Sequence, residues 1–331
     1  MMPSEKKQLT LTCHVDAYRD RWTIVAFLAH RFKYHTAEGW ERRVREAWVT
    51  VNDAAVAPEH VVRKNDTVRY TIWHSEPEVD DRYQVLYEDD DLLAVSKSGN
   101  IPVHACGVFI THTLIARLKE DRGAGLNLCH RLDRETSGVV VLAKNRQTNR
   151  VLADAFARGE VEKSYLAVAF GHAREDAFTV DAPIGKVDVR AEYPEEYRHG
   201  KVNDLATYLP KRVVDFERGK PARTRFEVLR RGEADSIPYT SLRAIPEQGR
   251  TNQIRVHLAH AGHPLLGDKI YALSGETREE LLREGLTTRV RRALVTPRHA
   301  LHCQRLAFAH PRTGTPLEVL SPVPEDLVPF A

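Results

Sequence analysis

The segment 129–145, CHRLDRETSGVVVLAKN, constrains the fold of this chain more than any other stretch. Its second half, 138–143, is a β-branched run of strand length. Its first half packs His130, Arg131, Asp133, Arg134, Glu135, Thr136 and Ser137 into the eight positions before that strand. Loops at the edge of a core rarely need so many polar groups. Asp133 stands between two arginines in sequence, and a carboxylate near cations stays ionised and can serve as nucleophile or base. Read on its chemistry alone, the loop is equally an ion-pair staple that holds a turn, so both readings stand at this point.

The surrounding patterns place that strand in a mixed fold. Runs at 84–87 and 92–96 flank Asp89, Asp90 and Asp91, a hairpin signature. Further strands are expected at 163–170, 224–229 and 239–245, and helices at about 111–119, 146–158, 251–261 and 277–285. Strands and helices do not alternate strictly. The fold class expected is therefore α+β with a mostly antiparallel sheet rather than a doubly wound one. Ahead of this lies a smaller pattern. Residues 23–32 carry Ile24, Phe27, Leu28 and Phe32 at helical spacing, and Trp40, Val44, Ala47 and Trp48 mark a second helix. Short strands follow at 49–51 and 68–72. A linker at about 74–82, with Pro77 and several acids, divides a module at 1–77 from a larger domain at 78–331. Two domains suit 331 residues.

Composition narrows the class. With 42% apolar and 29% charged residues the chain can bury a core and does not look disordered. No apolar run approaches the roughly 18 residues of a membrane helix, and residues 1–8 lack the apolar stretch of a secretory signal. A soluble, cytoplasmic protein is expected. Cys13, Cys106, Cys129 and Cys303 lie far apart without CxxC spacing, which excludes a zinc ribbon and predicts free thiols. The net charge of +3 says little about partners. The stretch 198–231 is more telling, with ten Lys/Arg against four Asp/Glu, as is the cluster Arg289, Arg291, Arg292 and Arg298. Such patches suit a phosphate backbone or a solvated face.

In GRTNQIRVHLAHAGHPLLGDKIY, 249–271, Thr251 is the expected N-cap of a helix that Gly262 stops. Ile254 and Leu258 share a face, and Arg255 lies one position round. His257, His260 and His263 drift around the helix without an HExxH or a carboxylate partner, so no metal is expected there. Tyr165, in EKSYLAVAFG at 162–171, reads by itself as a core residue of a strand.

Taken in order, HRLD with TSG, then KSYLA, then GRTNQIR with GHPLLGDKIY, then LHCQRLAFAHPRTG at 301–314 resemble the RluA family of pseudouridine synthases. The resemblance covers about 83–327. The segment REAWVTVNDAAV resembles an S4 RNA-binding domain, with Val49, Val51 and Asn52 kept and Asp53 at a usual glycine. What the resemblance implies is an isomerase that moves a uridine's C1′ bond from N1 to C5. Asp133 would be the catalytic aspartate, attacking C1′ or acting as base toward a glycal. Arg255 would be its basic partner, Tyr165 would stack on the base, and Ile254 would line the other side of the cleft. Arg131 would help hold RNA with the base turned out, and His130 and Asn252 would lie beside the substrate. Arg42, Arg43 and Arg45 would face RNA phosphates from the S4-like module.

Two departures stand out: Asn252 replaces the family's usual histidine, and Ser98 in KSGNIPVH its usual proline. The expected partner is structured RNA, ribosomal or transfer, bound by a monomer, with no DNA, no membrane and no cofactor. There is no P-loop and no GxGxxG. The rival readings are a non-catalytic RNA-binding or assembly factor on the same fold, and a metal-dependent nuclease or deaminase suggested only by 16 histidines.

Overall fold

The structure is a computed structural model that describes residues 7–32, 35–187 and 212–331. They form two compact units, Met1–Glu78 and Val79–Ala331.

The first unit contains β1 (Lys7–His14), α1 (Ile24–Arg31), α2 (Ala37–Arg45), β2 (Val49–Val51), β3 (Ala54–Ala55) and β4 (Thr67–His74). The sheet order is β1-β4-β2-β3. Thr23 and Thr36 cap the two helices through Ala26 N and Gly39 N at 3.3 and 3.2 Å. Ile24, Phe27, Leu28 and Trp40 are fully buried, each worth roughly 1.5–3 kcal/mol of transfer free energy for a side chain of this size. Trp40 meets Tyr70 of β4 edge-on at 5.6 Å. Strand β1 pairs along the whole of β4 and adds a strand to those expected from the sequence; its Leu9, Leu11 and Cys13 alternate with exposed polar residues.

The second unit is built on one ten-stranded sheet, antiparallel except at one pair. Its main path, in spatial order, runs β10 (Ala177–Asp181), β13 (Arg223–Ala234), β14 (Ile237–Pro246), β9 (Glu162–Phe170), β15 (Leu301–Ala309), β8 (Ser137–Ala143), β6 (Leu92–Lys97), β5 (Tyr83–Glu88). The short β7 (Asn127–Leu128) pairs with β8, and β16 (Pro316–Leu320) with β15. A separate ribbon joins β11 (Ile184–Lys186) to β12 (Arg212–Val214). The α+β class with a mostly antiparallel sheet is as expected.

All seven residues of β8 are buried, and their alternation feeds two cores. Val139, Val141 and Ala143 pack with Leu152 of α4 (Arg146–Arg158). Val140 and Leu142 pack with Leu114 and Leu118 of α3 (Leu114–Arg122). A strand covered on both faces loses the polar half of its alternation, hence the continuous run. The one parallel pair sets His302 and Cys303 of β15 beside Ser137 and Gly138. Gly138 has φ 110°, and a Cβ there would sit 2.1 Å from Cys303 O, so only glycine lets β15 close on β8. The loop 129–136 thus enters the sheet at its centre. Helix α5 (Gln253–His260) follows β14, then α6 (Gly275–Glu284) and α7 (Thr288–Leu294).

Candidate active site

Asp133 opens a tight turn in which Thr136 N donates to Asp133 O at 3.1 Å. The next two carbonyls of the turn are held by buried cations. Lys97 Nζ donates to Arg134 O at 2.9 Å, and also to Ser98 O and Ile101 O at 2.8 and 2.9 Å. Arg298 Nη1 donates to Glu135 O at 2.9 Å, while its Nε and Nη2 hold Asp326 at 2.7 and 3.0 Å. Burial, above all, drives Lys97 well below the ordinary lysine pKa. Glu135 accepts two of the three Lys269 bonds, at 2.9 and 3.0 Å, and one from Arg134 at 3.0 Å. Thr136 and Ser137 bond His299 and His302 at 2.8 and 2.9 Å. His130 Nε2 accepts from Val141 N at 3.0 Å and its ring stacks on Phe156, and burial pushes its pKa down to about 3. The staple reading of the loop is therefore right for most of it. What the staple presents is Asp133.

Arg255 Nη1 donates to Asp133 Oδ2 at 2.8 Å. Among the described residues no hydrogen bond reaches Asp133 Oδ1, and the side chain is 30% exposed. Arg255 itself is buried and held from behind: its Nε and Nη2 donate to the two oxygens of Asp268 at 2.7 and 2.9 Å. Asp268 is fully buried and also accepts from Ile270 N and Tyr271 N at 2.9 and 3.1 Å. The Tyr271 ring lies against the guanidinium at 5.3 Å. Burial alone would lower the Arg255 pKa, but Asp268 and then Asp133 outweigh it and hold the charge well above the ordinary guanidinium value. Gly267 makes room for this arrangement, since a Cβ there would sit 1.9 Å from Arg298 O.

The pair opens into a cavity of about 1000 Å³. Tyr165, on β9, lines it, partly buried, as do His130, Arg131, Asn252, Arg255 and Asp133. Burial, then Cys303 and Asp133, push the Tyr165 phenol well above its ordinary pKa. Arg131 is exposed and donates to His104 Nε2 at 3.2 Å, placing both at the cavity wall.

Several expected placements differ. Ile254 does not line the cavity: it packs under the sheet with Ala167, Leu242 and Leu258, because Arg255 faces the cavity and its neighbour lies about 100° round the helix. The N-cap is Asn252, not Thr251. Asn252 sits at φ 59°, where asparagine is tolerated, and makes no capping bond of its own. Ser98 bonds Asp80 O and is not part of the cavity wall, although Pro102, Val103 and His104 of the same segment are. Arg298, grouped with the basic cluster, is a buried brace, and Arg289 pairs with Glu276 and Glu280. In the first unit Arg43 donates to Thr71 O and covers Trp48, and Arg45 pairs with Glu41, whereas Arg42 is exposed and unpaired among the described residues. His257 bonds Thr224 Oγ1 and Ala182 O, and His263 bonds Phe170 O, at 2.9 to 3.0 Å. Cys13, Cys129 and Cys303 are buried free thiols. Of the basic stretch, 198–211 lies outside the described residues.

Asp268, Lys97 and Lys269 were missed as site residues. Their motifs were visible, GHPLLGDKIY and KSGNIPVH, but nothing local says that an Asp or Lys in them is buried beneath the loop.

The chain matches the RNA pseudouridylate synthase family over residues 91–260. It is 30% identical over 305 residues to ribosomal large subunit pseudouridine synthase D of Nitrosomonas europaea, covering 87% of this chain and 78% of that one. It is 31% identical to an uncharacterized RNA pseudouridine synthase of Bacillus subtilis, covering 90% of each. Among solved structures it resembles human RNA pseudouridylate synthase domain containing 1, with a TM-score of 0.55 and 26% identity over 75% of this chain and 86% of that one. No helix among the described residues is long and apolar enough to cross a membrane. With the fold, the matched span and these relatives in agreement, the chain belongs to the RNA pseudouridylate synthase family and is an RNA pseudouridine synthase, an isomerase.

Proposed function

We propose that Asp133 is the catalytic aspartate, acting on a uridine that has left its helix stack and entered the cavity. The observation that carries this reading is the asymmetry of its carboxylate: one oxygen is held by Arg255 at 2.8 Å, and the other has no partner among the described residues. That free oxygen is available to the sugar at C1′. The C1′–N1 bond breaks, the uracil turns, C5 joins C1′, C5 gives up its proton and N1 takes one up. No electrons enter or depart. Turning the base out costs a few kcal/mol, less where it is already unpaired. Tyr165 supplies a face against which the detached uracil turns, a stacking contact worth roughly 1–3 kcal/mol. Arg131, at the wall, suits a phosphate or ribose beside the turned-out nucleotide.

The substrate is structured RNA, ribosomal or transfer, as the names of relatives that modify the ribosomal large subunit or tRNA suggest. The unit Met1–Glu78 serves as an S4-like RNA-binding module, and the protein acts as a monomer in the cytoplasm. Chemical mapping of pseudouridines in cells with and without the gene tests the reading. One or a few uridines should lose the modification, regain it with the wild-type gene, and fail to regain it with Asp133→Asn. Restoration by Asp133→Asn would remove Asp133 from the chemistry.

A further inference from the structure

Phe216 is 72% exposed, among the most exposed large apolar side chains of the described residues. It stands at the tip of the turn between β12 and β13, inside the basic stretch that the site described above does not use. The turn is held firmly. Asp215 Oδ1 accepts from Glu217 N and Arg218 N, both at 3.0 Å, and Gly219 N donates to Asp215 O at 2.9 Å. Lys220 and Ile184 exchange two backbone bonds at 2.9 and 3.0 Å. Both ends of the turn are tied to residues of the cavity wall. Arg212 lines the cavity, and its carbonyl accepts from Tyr271 Oη at 2.9 Å. Arg250 lines it too, and its Nε donates to Pro221 O at 3.1 Å. Arg218 and Lys220, on either side of Gly219, are exposed and have no ion pair among the described residues. His260, at the end of the helix that carries Arg255, is the one ring in contact with Phe216 among those described, tilted at 6.4 Å.

We propose that Phe216 is a base-stacking residue at the rim of the active-site cavity, taking an unpaired base of the RNA close to the target uridine. A phenylalanine left in water gains nothing from burial, so its turn is not ordered by packing of that ring. Asp215 and Glu217 are its neighbours in sequence, but Phe216 shares its turn with two exposed cations, Arg218 and Lys220, and an aromatic face near such cations is the combination that binds single-stranded nucleic acid: the cations meet phosphates, and the ring meets a base of any identity. A protein partner is the less fitting occupant, because β12, which leads into the turn, begins at Arg212 on the wall of the cavity that receives the uridine. The inference rests on the placement of the active site at Asp133.

The test uses total RNA extracted from cells lacking the gene, which carries the unmodified uridine in whatever RNA it lies. With enzyme in excess, single-turnover pseudouridine formation is followed by chemical sequencing as enzyme concentration is raised. This separates the half-saturating concentration from the saturated rate. Phe216→Ala should raise the half-saturating concentration by about 5- to 100-fold, the range expected for one lost stacking contact, and leave the saturated rate within about twofold. Phe216→Tyr should restore binding. Phe216→Leu, apolar but without a π face, should not. An unchanged half-saturating concentration in Phe216→Ala overturns the proposal. Rescue by leucine equal to that by tyrosine also overturns it, since any apolar side chain would then serve. Asp133→Asn, run alongside, separates the two failures: if it is active the site is misplaced, and if it is dead while Phe216→Ala binds normally, only the stacking role fails.

Discussion

Arg255 reaches Asp133 through Nη1 alone, at 2.8 Å, and leaves the other carboxylate oxygen open to the cavity. The arginine is a holder with one hand on the proposed catalytic carboxylate. Asp133→Asn keeps an oxygen for that hand but loses the anion. Isomerisation should fall below about one per cent, a barrier increase of more than roughly 2.7 kcal/mol, while RNA affinity stays within a few fold because phosphate contacts are untouched. Tritium release from a [5-³H]uridine-labelled transcript measures the first, and filter binding the second.

Arg255→Ala should harm both activity and stability. Among the described residues it removes the only side-chain partner of buried Asp268, leaving the carboxylate with backbone N–H donors alone. Breaking a buried pair from one side typically costs about 3–5 kcal/mol. Adding Asp268→Asn to Arg255→Ala should recover part of that loss, since no charge is then stranded. Urea unfolding of the two variants decides it: a double variant no more stable than Arg255→Ala means the cost did not come from Asp268.

Asp268→Asn alone tests positioning. The amide keeps one acceptor but loses the two-pronged grip on Nε and Nη2, so Arg255 should swing and Asp133 with it. A misplacement of about 1 Å can cost on the order of 100-fold in rate. The saturated rate should fall by about 10- to 100-fold, with the half-saturating enzyme concentration little changed and folded stability retained at 25 °C. An effect on binding alone would show that Asp268 supports the cavity wall rather than the arginine.

Stability should decline as the solution is acidified. Burial, chiefly, lowers His130 to about 3 and His302 to about 4, below the roughly 6.5 of an unfolded histidine. Between those values the unfolded chain binds protons that the folded chain does not, so stability is fully present above about pH 6.5 and is lost as pH falls toward 4 and then 3. Each such histidine contributes a slope of about 1.4 kcal/mol per pH unit inside its window. Urea titrations from pH 7 to 4.5 should give a shallower slope for His130→Gln than for wild type. An identical slope would mean that His130 takes up its proton without unfolding.

Removing residues 1–78 should leave a unit that still isomerises uridine, binds RNA more weakly, and shows a flatter dependence of log affinity on log salt. Within the intact protein Arg42→Ala should lower the slope by about one, and Arg45→Ala by less, because Arg45 already pairs with Glu41. A slope unmoved by the deletion would show that this unit does not touch RNA.

How the site was legible follows from where its information lies. The loop before β8, the strand itself, Tyr165 on β9 and Arg255 on α5 each carry a local pattern that a reader of residues can find. Their motifs, in order, were enough to name a family and to propose its aspartate. Ile254 shows the limit: the resemblance implied a place in the cleft, but a helix turns it about 100° from Arg255, and it packs under the sheet when the arginine takes the cavity side. Asp268 shows another. A carboxylate's importance here comes from being fully buried behind the arginine, and burial of a single polar residue leaves no periodic trace.

The sequence by itself determined the α+β class, the buried central strand with its polar loop, and the candidates Asp133, Tyr165 and Arg255, because these depend on periodicity, turn chemistry and motif order along short stretches. Only the tertiary structure decided that Arg255, 122 residues from Asp133, sits within 2.8 Å of it, that Asp268 grips it from behind, and that Lys97 and Arg298 brace the carbonyls of the turn. The physical reason is that β15, near the end of the chain, inserts between β9 and β8. It brings His302, Arg298 and their neighbours beneath a loop laid down far earlier. Contacts closed across such separations are selected by the packing of the whole sheet, and no local run of residues encodes them.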